Sequence, residues 1–242
     1  MPDVDGCEDA DMSERVEAVV PDLRQMTVGV LGGTGEQGRG LARRWAGAGL
    51  TVLIGSRSEQ RARAIAASVA AGIPAPAEVR GHDNAAVARA ADVVVVAVPY
   101  EGHAELLTTL ATDLSGKVVV DVVNPLGFDR QGAFALDVAE GSAAEQAQRL
   151  LPDSVVVGAF HHVSAVRLLD DDLDSIDTDV LVVGDDRAAT GLIQALADAI
   201  PGMRGIYAGR LRNAHQIEAL TANLISVNRR YKAHAGLRVT DV

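Results

Sequence analysis

Short apolar runs alternate with longer amphipathic stretches along most of this chain, a pattern that predicts strands joined by helical crossovers. Val28 to Leu31 is the first run, bounded by glycines as expected of a parallel strand buried on both faces. Leu41 to Ala48 continues as a helix with its apolar side toward that strand. Thr51 to Ile54 reads as the second strand, and Glu59 to Ala71 as a helix stopped by Gly72 and Pro74. Glu78 to Gly81 forms a short third strand, and Asn84 is placed to cap a helix from Ala85 to Ala91. Val93 to Val98 is an uninterrupted apolar run ended by Pro99, as expected of a central strand. A helix over Gly102 to Leu114 and a strand over Val118 to Val123 follow, then Asn124-Pro125-Leu126. Residues 127 to 150 read as a loop and then a helix, with Ser142 and Glu145 at capping-box spacing.

The pattern continues with a strand at Val155 to Val157, leading into Gly158-Ala159-Phe160-His161-His162-Val163-Ser164-Ala165. An acidic loop over Asp170 to Asp179 precedes a strand at Val180 to Val183. A helix from Arg187 to Ile200 ends at Pro201-Gly202. The last helix runs from about Leu211 to Ala233. Leu211, Ala214, Ile217, Leu220, Leu224, Val227 and Tyr231 keep three- and four-residue steps, so one face is buried on the sheet or on a second subunit of a homodimer. The expected fold class is α/β: a Rossmann-type doubly wound parallel sheet over residues 26–150 and a smaller C-terminal α/β domain over 151–242. Residues 1–25 carry eight acids against Arg15 and Arg24, and read as a partly disordered acidic extension. Within it, Ser13 to Val20 is a candidate short helix ended by Pro21.

With 242 residues, 48% of them hydrophobic, the chain can bury a full core. No apolar stretch approaches the ~18 residues of a membrane span. The N-terminus lacks the basic and apolar regions of a signal peptide. A single Cys7 precludes an intramolecular disulfide and fits a reducing cytoplasm. The net charge of −11 argues against broad binding of nucleic acid or acidic membrane. Any anionic ligand must therefore sit in a local positive pocket.

The glycines between the first strand and the first helix offer such a place. Gly33, Gly35 and Gly38 fill the G-x-G-x-x-G spacing: a tight turn, close backbone approach to a pyrophosphate, and packing of helix on strand. The helix dipole and its free N–H groups favour the phosphates. The end of the second strand then selects the dinucleotide. An NAD site has an acid about ~20 residues past the glycines for the ribose 2′-hydroxyl. Here the strand ends in Gly55-Ser56-Arg57, and the first acid, Glu59, is already in the next helix. A hydroxyl and a guanidinium suit a 2′-phosphate that an acid would repel, and Arg61 lies one helical turn on. Ser56 can also serve as a helix cap. These residues predict NADP rather than NAD.

Three strand ends converge on one crevice: the glycine loop, Pro99-Tyr100 and Asn124-Pro125-Leu126, the place where open α/β sheets bind ligands. Adjacent His161 and His162 point to opposite sides of an extended chain and do not chelate one ion together. No other residues stand at metal-ligand spacing, so no metal is expected. One histidine facing the crevice and a purely structural pair are equally open. There is no G-x-S-x-G nucleophile motif, and Cys7 lies in the acidic extension.

Taken together, these residues resemble the NADPH:coenzyme F420 oxidoreductases, which exchange a hydride between NADP(H) and a deazaflavin. The resemblance runs from about Thr27 to the C-terminal end. It rests on Gly32-Gly33-Thr34-Gly35 with Gly38, Gly55-Ser56-Arg57 with Arg61, Val98-Pro99 before an aromatic Tyr100, Pro125-Leu126, and His161 with Ala165 and Arg167. It implies that Thr34, Gly35, Glu36, Gln37, Ser56, Arg57 and Arg61 hold the adenosine-phosphate half of NADP. Val98, Tyr100, Leu126 and Ala165 would line the nicotinamide half, with Asn124 beside them. His161 and Val163 would border the coenzyme F420 ring, and the segment near Ala235 would close over it. The family often has Trp at Tyr100, lacks Gly102 before His103, and has Thr-x-Pro where this chain has His162-Val163-Ser164.

Hydride transfer between the two rings would be carried by the coenzymes, with the protein supplying orientation and electrostatics. His161 is then expected to position the deazaflavin ring without acting as an obligatory acid or base. Arg167 is the first candidate for its anionic tail, ahead of Arg210, Arg212, Arg229 and Arg230. Two other readings stay open at this point: an NADP-dependent reductase of a small imine or ketone, with Tyr100 as proton donor, and a non-enzymatic NADP(H)-sensing module.

Overall fold

A computed structural model describes residues 22–74 and 78–242. The acidic extension up to residue 21, with its candidate helix over Ser13 to Val20, lies outside the described residues. Leu23–Gln25 form a 3-10 turn whose start is capped by the Asp22 carboxylate. In chain order the first half gives β1 (Thr27–Leu31), α1 (Glu36–Gly47), β2 (Thr51–Ser56), α2 (Glu59–Ala70), β3 (Glu78–Asp83), α3 (Asn84–Ala90), β4 (Val93–Val96), α4 (His103–Leu114) and β5 (Val118–Asp121). Then come a hairpin of β6 (Leu126–Phe128) and β7 (Ala133–Ala135), α5 (Ala143–Leu150), β8 (Val155–Gly158) and α6 (Ala165–Leu169). The chain closes with β9 (Thr178–Gly184), α7 (Arg187–Asp198), β10 (Met203–Tyr207) and α8 (Ala214–Tyr231).

One sheet has the order β10-β9-β8-β5-β4-β1-β2-β3. All neighbours are parallel except β8 and β9, which pair antiparallel through Val157↔Gly184 and Gly158↔Val183. The order 3-2-1-4-5-8 reverses direction between β1 and β4, which places a ligand crevice at the carboxyl ends of those strands. The boundary placed near residue 150 falls between α5 and β8, and strands on both sides of it belong to this one sheet. Both sheet faces are covered, which explains the unbroken valine runs. Val93 and Val95 of β4 enter the core beneath α1 and α7, while Val94 and Val96 enter the core beneath α3, α4, α5 and α8.

Trp45 anchors the first of these cores. Its indole Nε1 donates to Leu196 O of α7 at 2.9 Å, and its ring meets Phe160 edge-on at 5.5 Å. Several local readings are corrected. Asp83, not Asn84, caps α3, because its carboxylate accepts from Ala86 N at 2.8 Å. The stretch read as plain loop after Leu126 folds into the β6–β7 hairpin. The acidic stretch ends inside the sheet, since Asp179 belongs to β9 and is fully buried. α6 and β10 are too short to show a period in the sequence.

Candidate active site

The glycine loop is built from the inside out. Gly32 takes the left-handed turn at φ 66°, with a side chain there excluded by Val98 and Ala97. A Cβ on Gly38 would stand 2.7 Å from Gly33 Cα, so helix and loop touch. Gly35 differs: its nearest neighbour would be Gly32 O at 3.8 Å, and its exposed backbone faces open space. Gly33 N donates to Gly55 O at 3.1 Å, and Gly32 N to Asn84 Oδ1 at 3.4 Å, which pins the loop to β2 and α3. No side chain among the described residues caps the N-terminus of α1, so its first-turn N–H groups are left for an anion.

At the end of β2, Ser58 rather than Ser56 caps α2, accepting from Arg61 N at 3.3 Å. Ser56 is therefore released from that role, although its Oγ accepts from Ser58 N at 3.3 Å. Glu59, the nearest acid, is taken by Arg63 at 2.7 Å and lies 3.7 Å from His82. Arg57 and Arg61 are exposed and have no carboxylate partner among the described residues. Positive charge without compensation, next to a small hydroxyl, fits a phosphate and not a ribose diol.

Across the switch point, Val98 and Pro99 lead into a 3-10 turn at Tyr100–Gly102 and then His103. His103 and Asp121 are fully buried, with Nε2 and Oδ2 2.6 Å apart. Burial opposes the charge on His103, but the Asp121 carboxylate and the Gln146 side chain outweigh it and raise its pKa. Its Nδ1 lies 3.1 Å from Gln146 Oε1, so both ring nitrogens face oxygen acceptors. Burial also raises the Tyr100 hydroxyl, which stays neutral near pH 7. Below them Glu218 of α8 accepts from Ala143 N at 3.0 Å and Ala144 N at 3.1 Å, holding the start of α5. Burial pushes this carboxyl up to about 7.

The segment after β8 is the most constrained part of the crevice. Phe160 is buried at φ 60°, a conformation that L side chains rarely adopt. It opens a turn, closed by Val163 N donating to Phe160 O at 3.3 Å, that carries both histidines. The His161 carbonyl accepts from Asn124 Nδ2 at 2.8 Å and from Thr221 Oγ1 at 3.1 Å. Its imidazole is buried, and neither ring nitrogen has a partner among the described residues. Burial lowers its pKa to about 4, so it is neutral at pH 7. His162 instead lines a cavity of about 210 Å³ together with Ser164, Arg167, Thr178, His234 and Ala235. Its Nε2–H donates to Asp179 O at 2.7 Å. Arg167 and Ala235 therefore share a cavity with His162, and neither His161 nor Val163 lines it.

Two groups hold this segment in place. Arg44 of α1 donates to the carbonyls of Arg167, Leu168, Asp170 and Leu173 at 2.6–2.9 Å, capping the C-terminal end of α6. Asp179 grips the C-terminal segment through Arg238 and through Val239 N at 2.7 Å, and Arg204 clamps it with two bonds. Hydrogen bonds from Arg204, Val239 and Arg238 hold the Asp179 carboxyl well below the usual carboxylate range, against the effect of burial. Of the other arginines considered for an anionic tail, Arg210 lies 3.6 Å from Asp185. Arg229 and Arg230 line a separate cavity of about 650 Å³ against the hairpin. No cluster of His, Cys, Asp and Glu among the described residues is arranged to hold a metal.

Against known proteins, residues 27–125 match the family model described as NADP oxidoreductase, coenzyme F420-dependent. An F420-dependent NADP reductase of Methanothermobacter marburgensis is 38% identical over 90% of this chain and 99% of its own length. The chain belongs to this family. The F420-dependent NADP reductase of Methanocaldococcus jannaschii is 37% identical over the same shares. Among solved structures, a candidate F420-dependent NADP reductase from Arthrobacter sp. FB24 superposes with a TM-score of 0.75 at 30% identity, over 89% of this chain and 99% of that one. An imine reductase from Bacillus cereus superposes at a TM-score of 0.58 and 16% identity, over 85% of this chain and 63% of that one, which shows the shared fold alone. For this family member, sequence reasoning missed His103, Asp121, Gln146, Glu218, Thr221 and Arg44. None stands in a motif, and each is found only once the sheet brings distant elements together.

Proposed function

We propose that this chain is an oxidoreductase that passes a hydride reversibly between NADP(H) and the deazaflavin coenzyme F420, both bound as substrates at the crevice. The observation that carries the NADP assignment is the pair of exposed guanidinium groups of Arg57 and Arg61 beside Ser56, without carboxylate partners among the described residues, with Glu59 diverted to Arg63. Thr34, Gly35, Glu36 and Gln37 take the pyrophosphate at the α1 N-terminus, where Gly35 leaves room for it. Val98, Tyr100, Asn124, Leu126 and Ala165 border the nicotinamide.

The coenzymes carry the hydride chemistry, and the chain holds the rings and excludes water. Neutral His161 and Val163 border the deazaflavin ring, Arg167 receives its anionic tail in the cavity shared with His162, and the segment near Ala235, which lines the same cavity, closes over the ring. His161 is a positioning residue in this reading, because a pKa of about 4 removes it from proton transfer near pH 7. Residues 26–150 thus serve NADP, and 151–242 complete the deazaflavin site. Exposed Phe128 and Phe134 on the hairpin and Val227 and Tyr231 on α8 support a homodimer. A cytoplasmic location is in keeping with a single cysteine and with no described helix long and apolar enough to cross a membrane.

The test is the bleaching of oxidised coenzyme F420 by NADPH and by NADH. Fast bleaching with NADPH and slow bleaching with NADH is expected. Equal rates would remove the 2′-phosphate assignment, and tight NADPH binding without bleaching would remove the deazaflavin.

A further inference from the structure

His103 and Asp121 lie beneath the crevice, and zero exposure keeps both from touching a coenzyme. Their places in the chain give them leverage. His103 opens α4 directly after the Tyr100–Gly102 turn, and Asp121 closes β5 three residues before Asn124. Asp121 Oδ1 also accepts from Val123 N at 3.0 Å, and its carbonyl accepts from Ala159 N at 3.1 Å. On the other side Gln146, bonded to His103, donates to Glu140 Oε2 at 3.1 Å. One chain of hydrogen bonds therefore joins the loops after β4, β5 and β8. A buried ion pair is poor as a source of stability, since apolar residues of similar volume often do as well. Its worth lies in fixing geometry.

We propose that the His103–Asp121 pair is a positioning device that sets the separation of the two loops bordering the nicotinamide, Val98–Tyr100 and Asn124–Leu126. The inference rests on the reading that those loops border the nicotinamide. A loop displaced by about 1 Å can cost on the order of a hundredfold in rate without any lost contact.

The experiment uses the full chain with His103→Gln, Asp121→Asn and the double variant, and Tyr100→Ala and Asn124→Ala as markers of the site. Hydride transfer is followed with NADPH carrying hydrogen or deuterium at C4. Binding is measured for NADPH and for adenosine 2′,5′-bisphosphate, which occupies only the far half of the site. Each single variant should slow isotope-sensitive hydride transfer about ten- to a hundredfold. Bisphosphate affinity should stay within about twofold, and the double variant should be no slower than the worse single one. Hydrogen exchange at the Val123 amide should accelerate in Asp121→Asn. Single effects that multiply in the double variant, or a bisphosphate affinity that falls in step with the rate, would overturn the proposal. Slow Tyr100→Ala and Asn124→Ala beside unaffected pair variants would overturn it while leaving the nicotinamide reading intact. No effect from Tyr100→Ala or Asn124→Ala would overturn that reading and the proposal with it. Should the pair variants fail to fold, Gln146→Met cuts the second tether of His103. A slowing of a few-fold at unchanged bisphosphate affinity is then expected, and an unchanged rate would overturn the idea.

Discussion

At the β2 end of the crevice, Arg57 and Arg61 stand in solvent without carboxylate partners among the described residues, whereas at the β8 end His161 and His162 are buried, the first pinned through its backbone carbonyl and the second through its ring. The first region makes its site by leaving charge free. The second makes its site by restraint, with Phe160 in a left-handed conformation, Asn124 and Thr221 on one carbonyl, and Arg44 across the end of α6. Selectivity for a phosphate can rest on exposed side chains because charge acts over several ångströms. Alignment of two rings tolerates far less movement, so the residues around them are fixed by groups that never meet a ligand. The two regions should therefore fail differently when mutated.

The sharpest way to break the comparison is to remove the free charge. Each charge-assisted hydrogen bond to a phosphate contributes about 1.5–3 kcal/mol, so Arg57→Ala with Arg61→Ala should lower the NADPH-over-NADH preference on the order of a thousandfold. The ratio of kcat/KM values for the two nucleotides measures it, and melting temperature should be nearly unchanged. A large stability loss with preserved preference would mean that these arginines are structural after all.

The restrained end predicts the reverse. Glu218 satisfies two buried N–H groups of α5, at Ala143 and Ala144. Glu218→Ala orphans both and should cost about 2–4 kcal/mol in urea unfolding. NADPH affinity of the folded fraction should stay close to that of the parent chain.

This contrast also explains which parts were legible in the sequence. The glycine loop and the Ser56-Arg57 end depend on residues adjacent in the chain, so their spacing carries the chemistry. Even there, the neighbouring detail slipped: the cap falls on Ser58, and the left-handed turn on Gly32. At the β8 end, partners are far apart in sequence. Asn124 meets His161 and Thr221 meets the same carbonyl only because β5, β8 and α8 converge. In the sequence Asp179 is the end of an acidic loop. Its partners Arg204 and Arg238 lie on β10 and in the C-terminal segment, and no local pattern links them. The strands were legible because burial on both faces leaves continuous apolar runs. The hairpin, with its exposed Phe128 and Phe134, leaves no such mark.

The buried histidine gives a third test, one that reads restraint as a pH dependence. The folded-state pKa of His161 is depressed to about 4 from 6.5, so the unfolded chain binds its proton first as pH falls. Its share of stability is fully present above pH 6.5 and is lost between 6.5 and 4, by roughly 3 kcal/mol in all. Glu218, raised to about 7 from 4.5, acts in the opposite sense: its share is present below 4.5 and lost as pH rises through 7. The difference between the parent chain and His161→Leu isolates the histidine, because Glu218 and His162 are common to both. That difference should shift in favour of the variant on going from pH 7 to pH 4.5. A constant difference across that range would mean that the imidazole is solvated.

The smallest expected effect separates two serines two residues apart, at the boundary between the two kinds of construction. Ser58 caps α2, and loss of an N-cap hydroxyl costs about 1 kcal/mol. Ser58→Ala should therefore lower stability by that amount and leave nucleotide preference alone, since Arg57 and Arg61 keep their charge. Ser56 is buried at the end of β2, and among the described residues its Oγ accepts only a 3.3 Å bond from Ser58 N, which leaves its hydroxyl proton to be donated to a phosphate oxygen. Ser56→Ala should cost less stability than Ser58→Ala yet lower the NADPH preference several-fold, the worth of about one hydrogen bond. Urea midpoints and the two kcat/KM ratios together give a crossed pattern. If both serines changed stability and preference in parallel, the cap and the phosphate contact would be one structural unit, and the division between free charge and restraint would not hold at this end of the crevice.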